Sequence, residues 1–120
     1  MKLNLYVLVS DMERAVVFYR QLFEQKPVMQ SERFVAFDIN GALYGLFNAA
    51  YFPYPVTVGN NCTPNIYVKD IQAAYDHVKA CAPSFIMPEV VASGPYQLFV
   101  FADPDGNSLE YYTEASAGRI

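Results

Sequence analysis

The sequence predicts an α+β protein made of two copies of one strand–helix–strand–strand–strand module. Three observations carry this. Val9-Ser10-Asp11-Met12 recurs as Val68-Lys69-Asp70-Ile71, an offset of 59 residues (70 − 11). A turn feeds the last strand of each copy, Asn40-Gly41 in one and Asp103-Pro104-Asp105-Gly106-Asn107 in the other. In both halves alternating apolar residues give way to apolar residues at helical spacing. A period near half the chain means two similar modules, not a solenoid. The 120 residues predict a single domain with modules at about 1–50 and 62–115 joined by a linker at 49–61.

The first strand is expected over Leu3–Val9, with Leu3, Leu5, Val7 and Val9 on one face and Asn4, Tyr6 and Leu8 on the other. Ser10-Asp11 supplies a helix N-cap, and Met12, Ala15, Val16, Tyr19, Leu22 and Phe23 form the apolar stripe of a helix to Phe23. Pro27 closes the exit. Strands follow at Val28–Glu32, Phe34–Ile39 and Ala42–Asn48, the last two joined by the hairpin pair Asn40-Gly41. The linker's Tyr51, Phe52 and Tyr54 are costly in water and are expected to pack on the core edge or a site mouth.

The second module repeats the order. Thr63–Val68 is a strand, with Ile66 and Val68 toward the core and Thr63, Asn65 and Tyr67 opposite. Asp70 caps a helix to about Ala80, buried through Ile71, Ala74, Tyr75 and Val78. Strands are expected at Ser84–Val91, Tyr96–Ala102 and Ser108–Thr113, the first weakened by Pro88. The tail from Glu114 to Ile120 is expected to fray. A helix on one face of each small sheet leaves the other face uncovered, and pairing the two sheets would enclose a cleft.

Composition narrows the function. Net charge is −4, which disfavours a nucleic-acid partner. No stretch reaches the roughly 18 apolar residues of a membrane span, and the N-terminal apolar run lacks a cleavage site, so the mature chain is expected to begin at Met1. Cys62 and Cys81 form neither a disulfide framework nor a metal spacing, which fits a cytoplasmic protein. Cys62 is expected to be a free buried thiol. The single histidine, His77, falls inside the second helix and is expected to be solvated.

The chain resembles the vicinal oxygen chelate group, the glyoxalase/bleomycin resistance/dioxygenase superfamily. The likeness rests on Val9-Ser10-Asp11 with Phe18-Tyr19 and Leu22-Phe23, and most of all on the run Phe101-Ala102-Asp103-Pro104-Asp105-Gly106-Asn107-Ser108-Leu109-Glu110. It implies paired βαβββ modules in a cupped mixed sheet with the helices outside, and commonly a homodimer. In metal-dependent members, one ligand sits seven residues before each helix-capping Asp and one sits four residues after each turn glycine. Those positions here are Asn4 (11 − 7), Thr63 (70 − 7), Gly45 (41 + 4) and Glu110 (106 + 4). Only Glu110 is a good ligand, and a catalytic divalent site needs about three. The resemblance therefore points away from metal chemistry and toward the bleomycin-resistance-type members, which sequester a drug.

Strand alternation fills the implied cup with Asn4, Tyr6, Thr63, Asn65, Tyr67, Glu110 and Tyr112, and with Leu98 and Val100 from the preceding strand. Apolar walls with sparse polar groups suit a small organic ligand. An unpartnered buried Glu110 carboxylate would cost several kcal/mol, and a cationic ligand flanked by tyrosine rings would relieve that. The plainer alternatives are a structural hydrogen bond for Glu110 and interface packing for the tyrosines. The expected function is metal-free, cofactor-free sequestration of a small aromatic compound whose cationic forms pair with Glu110. The alternatives are a metal-dependent lyase, isomerase or dioxygenase using Glu110 with unconventional ligands, and a regulatory module without a ligand.

Overall fold

The computed structural model describes residues 1–114. The first module runs β1 (Leu5–Val9), α1 (Met12–Phe23), β2 (Met29–Gln30), β3 (Phe34–Ile39) and β4 (Ala42–Asn48). After a 3-10 turn at Ala49–Tyr51, the second runs β5 (Asn65–Tyr67), α2 (Ile71–Ala80), β6 (Phe85–Ile86), β7 (Val91–Ser93), β8 (Tyr96–Ala102) and β9 (Ser108–Glu114). The strand orders are β1-β4-β3-β2 and β5-β9-β8-β6, with β7 also on β8. In each sheet the first strand lies parallel to the last and the others run antiparallel. This is the α+β, two-module plan that the repeat predicts.

Both helices start as the capping signal requires. Asp11 Oδ1 accepts from Arg14 N at 3.0 Å, and Asp70 Oδ1 accepts from Ala73 N at 3.1 Å. Glu24 in the left-handed region ends α1. Phe18, outside the predicted stripe, is buried with Ala15, Val16, Tyr19 and Leu22.

Several strands are shorter than the sequence suggests. Asn4 precedes β1 and uses its side chain in place of a ladder bond, Oδ1 accepting from Leu43 N at 2.9 Å. Pro64 has no N–H, so β5 begins after it and Thr63 lies outside the strand. Pro88 splits the predicted Ser84–Val91 strand into β6 and β7. Between Pro27 and the Ser31 turn only Met29 and Gln30 pair. The expected fraying concerns residues 115–120, which lie outside the described residues; Glu114 itself ends β9.

The helix-facing side chains of both sheets share one core: Val7, Val9, Phe37, Tyr44 and Leu46 from the first, Phe99, Phe101, Leu109 and Tyr111 from the second. The turn before β9 locks the modules together. The buried Asp103 carboxylate accepts from Asp105 N, Asn107 N, Asn107 Nδ2 and, at 2.8 Å, from the Tyr19 hydroxyl of α1. Asn107 Nδ2 also donates to Leu8 O at 3.0 Å, and Arg14 pairs with Asp105. No helix among the described residues is long and apolar enough to cross a membrane.

The opposite face of each sheet stays open, Tyr6 being 47% and Tyr67 54% exposed. The cleft expected between two facing sheets is therefore not closed within this chain. The aromatic partners of Tyr6 are Phe34 and Phe47 of its own sheet, and those of Tyr112 are Tyr67 and Tyr96 of its own.

Candidate functional site

The open face of the second sheet carries most of the expected site residues in a regular block. Strand register places Asn65, Glu110 and Val100 in one row across β5, β9 and β8, and Tyr67, Tyr112 and Leu98 in the next. Tyr112 meets Tyr67 edge-on at 5.7 Å and Tyr96 at 5.8 Å between ring centroids. A cavity of about 250 Å³ opens there, lined by Asn65, Tyr96, Leu98, Glu110, Tyr112 and Glu114. Tyr96 and Glu114 are opposite one another in the ladder and were not among the expected residues. The period-two pattern from Ser108 through Glu110 and Tyr112 reaches Glu114 once β9 is extended by one residue.

Glu110 is half-buried and has a side-chain hydrogen-bond partner, as the plainer of the two alternatives for it holds. Asn65 Nδ2 donates to its Oε1, and among the described residues no hydrogen bond engages Oε2. Among the described residues the cavity thus presents two carboxylates and two tyrosine rings and no Lys, Arg or His in its lining.

The remaining expected residues lie elsewhere. Tyr6 is on the open face of the first sheet, directly opposite Gly45 in the β1–β4 pair. Asn4 is committed to Leu43 N, and Thr63 is exposed ahead of β5. Counting from the helix caps pairs Asn4 with Gly45 and Thr63 with Glu110, whereas the observed register sets Tyr6 and Asn65 in those places.

Gly45 has a clear physical role. A Cβ there would fall 2.5 Å from Phe34 Cζ, 2.8 Å from Phe34 Cε1 and 3.0 Å from Tyr6 Cβ. The Phe34 ring thus fills the space a ligating side chain would use. Phe34, Tyr6 and Phe47 form an aromatic shelf, extended by Phe52 and Tyr54 of the linker. Of the linker aromatics, Phe52 packs on this face and Tyr54 on Phe52, whereas Tyr51 is exposed and meets Arg33 and Glu32.

These donors do not fit a resident divalent metal. Asn4 is spent on a backbone amide, Gly45 is covered, and Glu110 has an amide as its nearest partner. Glu114 stands four residues along the same strand, about 13 Å away by strand rise, too far to chelate with Glu110. Among the described residues no group of three His, Cys, Asp or Glu side chains gathers.

Nucleophilic chemistry is also poorly served. His77 is not simply solvated: its Nε2 lies 2.9 Å from Gln21 O and 3.2 Å from Leu22 O, joining α2 to the end of α1. A nitrogen facing two carbonyls carries its proton, so it cannot take one from Cys81, 3.7 Å away. Burial, reinforced by Glu24, pushes the Cys81 thiol up. Cys62 is exposed, not buried. Burial also raises the phenols of Tyr19, Tyr44 and Tyr111, with Tyr44 and Asp103 adding to the rise at Tyr19. All three belong to the core rather than the open face.

Comparison with known proteins agrees with this architecture. The family model described as the Glyoxalase/Bleomycin resistance protein/Dioxygenase superfamily matches residues 3–111. A metallothiol transferase FosB of Shouchella clausii is 28% identical over 131 residues, covering 93% of this chain and 79% of that protein. The fold matches a glyoxalase-related enzyme from Fulvimarina pelagi with a TM-score of 0.80 at 15% identity, covering 95% of this chain and 88% of the other. It also matches a lactoylglutathione lyase from Agrobacterium tumefaciens with a TM-score of 0.75 at 16% identity, covering 94% and 92%.

Proposed function

We propose a metal-free binding role for this chain, which belongs to the glyoxalase/bleomycin resistance protein/dioxygenase superfamily. The ligand is a small aromatic cation, held on the open face of the second sheet and sequestered there. One observation carries the reading: among the described residues the cavity lining offers Glu110, Glu114, Tyr96 and Tyr112 and no positive side chain. A cation gains a charge-assisted contact to the free oxygen of Glu110 and about 0.5–2 kcal/mol from a tyrosine face. Leu98 and the rings remove the ligand's apolar surface from water. We further propose a homodimer, because the aromatic shelf around Tyr6 is an exposed apolar surface that a second copy would cover.

A second reading, a metal-dependent thiol transferase, is favoured by the name of the 28% identical relative and by a carboxylate at Glu110. The donor set argues against it, since Asn4 and Gly45 cannot contribute.

Calorimetric titration with 1-methylquinolinium and the neutral 2-methylquinoline, together with elemental analysis of the purified protein, separates the two. The binding reading expects the cation to bind more tightly and E110Q to weaken it by about tenfold or more, with the neutral compound little changed. Equal losses for both compounds would remove the charge argument. A stoichiometric transition metal lost on E110Q would favour the transferase.

A further inference from the structure

A second, more apolar cleft of about 340 Å³ lies between the two sheets. Ile39 and Leu43 line it from the first module, and Ile66 and Tyr67 from the second. Asn65 lines both this cleft and the acidic cavity over β9. The two spaces therefore adjoin at one residue, with different chemistry on either side of it among the described residues: two carboxylates beside tyrosine rings in one, and a mainly apolar lining without a carboxylate, Tyr44 and Tyr67 included, in the other.

We propose that this cleft takes the hydrocarbon part of the ligand whose cationic head sits at Glu110, so that the chain selects amphiphilic cations. The inference rests on the binding role proposed above. An alkyl or aryl tail crossing the rim at Asn65 enters a space assembled from both modules. Binding then depends on how the modules sit against each other, a geometry fixed by the Tyr19–Asp103 and Asn107–Leu8 hydrogen bonds. A compact cation without a tail reaches only the acidic cavity.

Titration of the full chain with tetramethylammonium and with butyl-, hexyl- and octyltrimethylammonium below their micelle concentrations tests this. Affinity should rise by up to about fourfold per added methylene until the cleft is full. Ala42 is exposed at the cleft wall, so A42W should occupy it and flatten the chain-length slope. L43A, which removes wall surface, should lower the slope by a second route. E110Q should weaken every member by the same factor and keep the slope. Absence of a slope, with tetramethylammonium binding still sensitive to E110Q, overturns the cleft proposal and leaves the head-group reading standing. A slope that survives both A42W and L43A also overturns it, since the tail then lies elsewhere. If no member of the series binds, the head-group reading itself has failed and the tail proposal falls with it.

Discussion

Replacing Gly45 with alanine sets two effects of opposite sign against each other. An alanine in mid-strand ordinarily stabilises by about 0.5–1 kcal/mol relative to glycine, because the unfolded chain loses freedom. Here the added Cβ would sit 2.5 and 2.8 Å from the Phe34 ring and 3.0 Å from Tyr6 Cβ. Overpacking of this kind costs about 1–3 kcal/mol. The ring edge can swing away, but Tyr6 Cβ is fixed to the neighbouring strand directly opposite. The steric term wins, and G45A should be less stable by about 1 kcal/mol, or roughly 3–6 °C in Tm for a chain of this size. In an F34A background the ring contacts are gone, and the same change should be neutral or stabilising by up to about 0.5 kcal/mol. Chemical denaturation of the four proteins in the cycle measures the coupling, expected at about 1 kcal/mol or more. If G45A stabilises both backgrounds equally, the Phe34 ring does not occupy the space over Gly45, and the physical argument against a ligand there is lost.

The buried network between the modules makes a graded prediction. Y19F removes the bond to the Asp103 carboxylate and should cost about 2 kcal/mol, whereas Y44F removes only the 2.9 Å contact between hydroxyls and should cost about 1; denaturant melts giving the reverse order would contradict the assignment. Alkaline pH supplies another test. Tyr19, Tyr44 and Tyr111 hold their protons more tightly folded than unfolded, so their contribution is complete below the unfolded phenol pKa near 10 and is lost as pH climbs above it. Stability should fall there by up to about 1.4 kcal/mol per pH unit for each of the three, and three of the ten tyrosines should ionise only with unfolding when followed by tyrosinate absorbance. Complete ionisation while the near-ultraviolet circular dichroism stays native would disprove their burial.

Much of the architecture was legible because it is written in local rules. Asp11 and Asp70 announce two helices by their capping chemistry, and Asn40-Gly41 announces a hairpin, independently of what packs on them. Leu98 and Val100 share one face of β8, and Glu110 and Tyr112 one face of β9, because a strand alternates with a period of two; that the two faces coincide is set by the register between the strands. The site was less legible because its decisive contacts are between strands. That Asn65 rather than Thr63 faces Glu110 depends on where pairing begins, and Pro64 sets that by lacking a donor. Gly45 shows by sequence that a ligand is missing, but that Phe34 fills its place is a tertiary fact. His77 has the sequence context of an exposed helical residue, and only the packing of α2 against α1 brings it to Gln21 and Leu22. Nor does the repeat reveal that the helical sides of the two modules meet in one core and leave their open faces apart.

Whether Glu110 serves an organic cation or a metal is tested most directly by calorimetric titration of metal-stripped protein, wild type and E110Q, with 1-methylquinolinium. We expect saturable binding by the stripped wild-type protein, unchanged when divalent metal is added, and about tenfold or greater weakening in E110Q. Binding that appears only after metal is restored would contradict it.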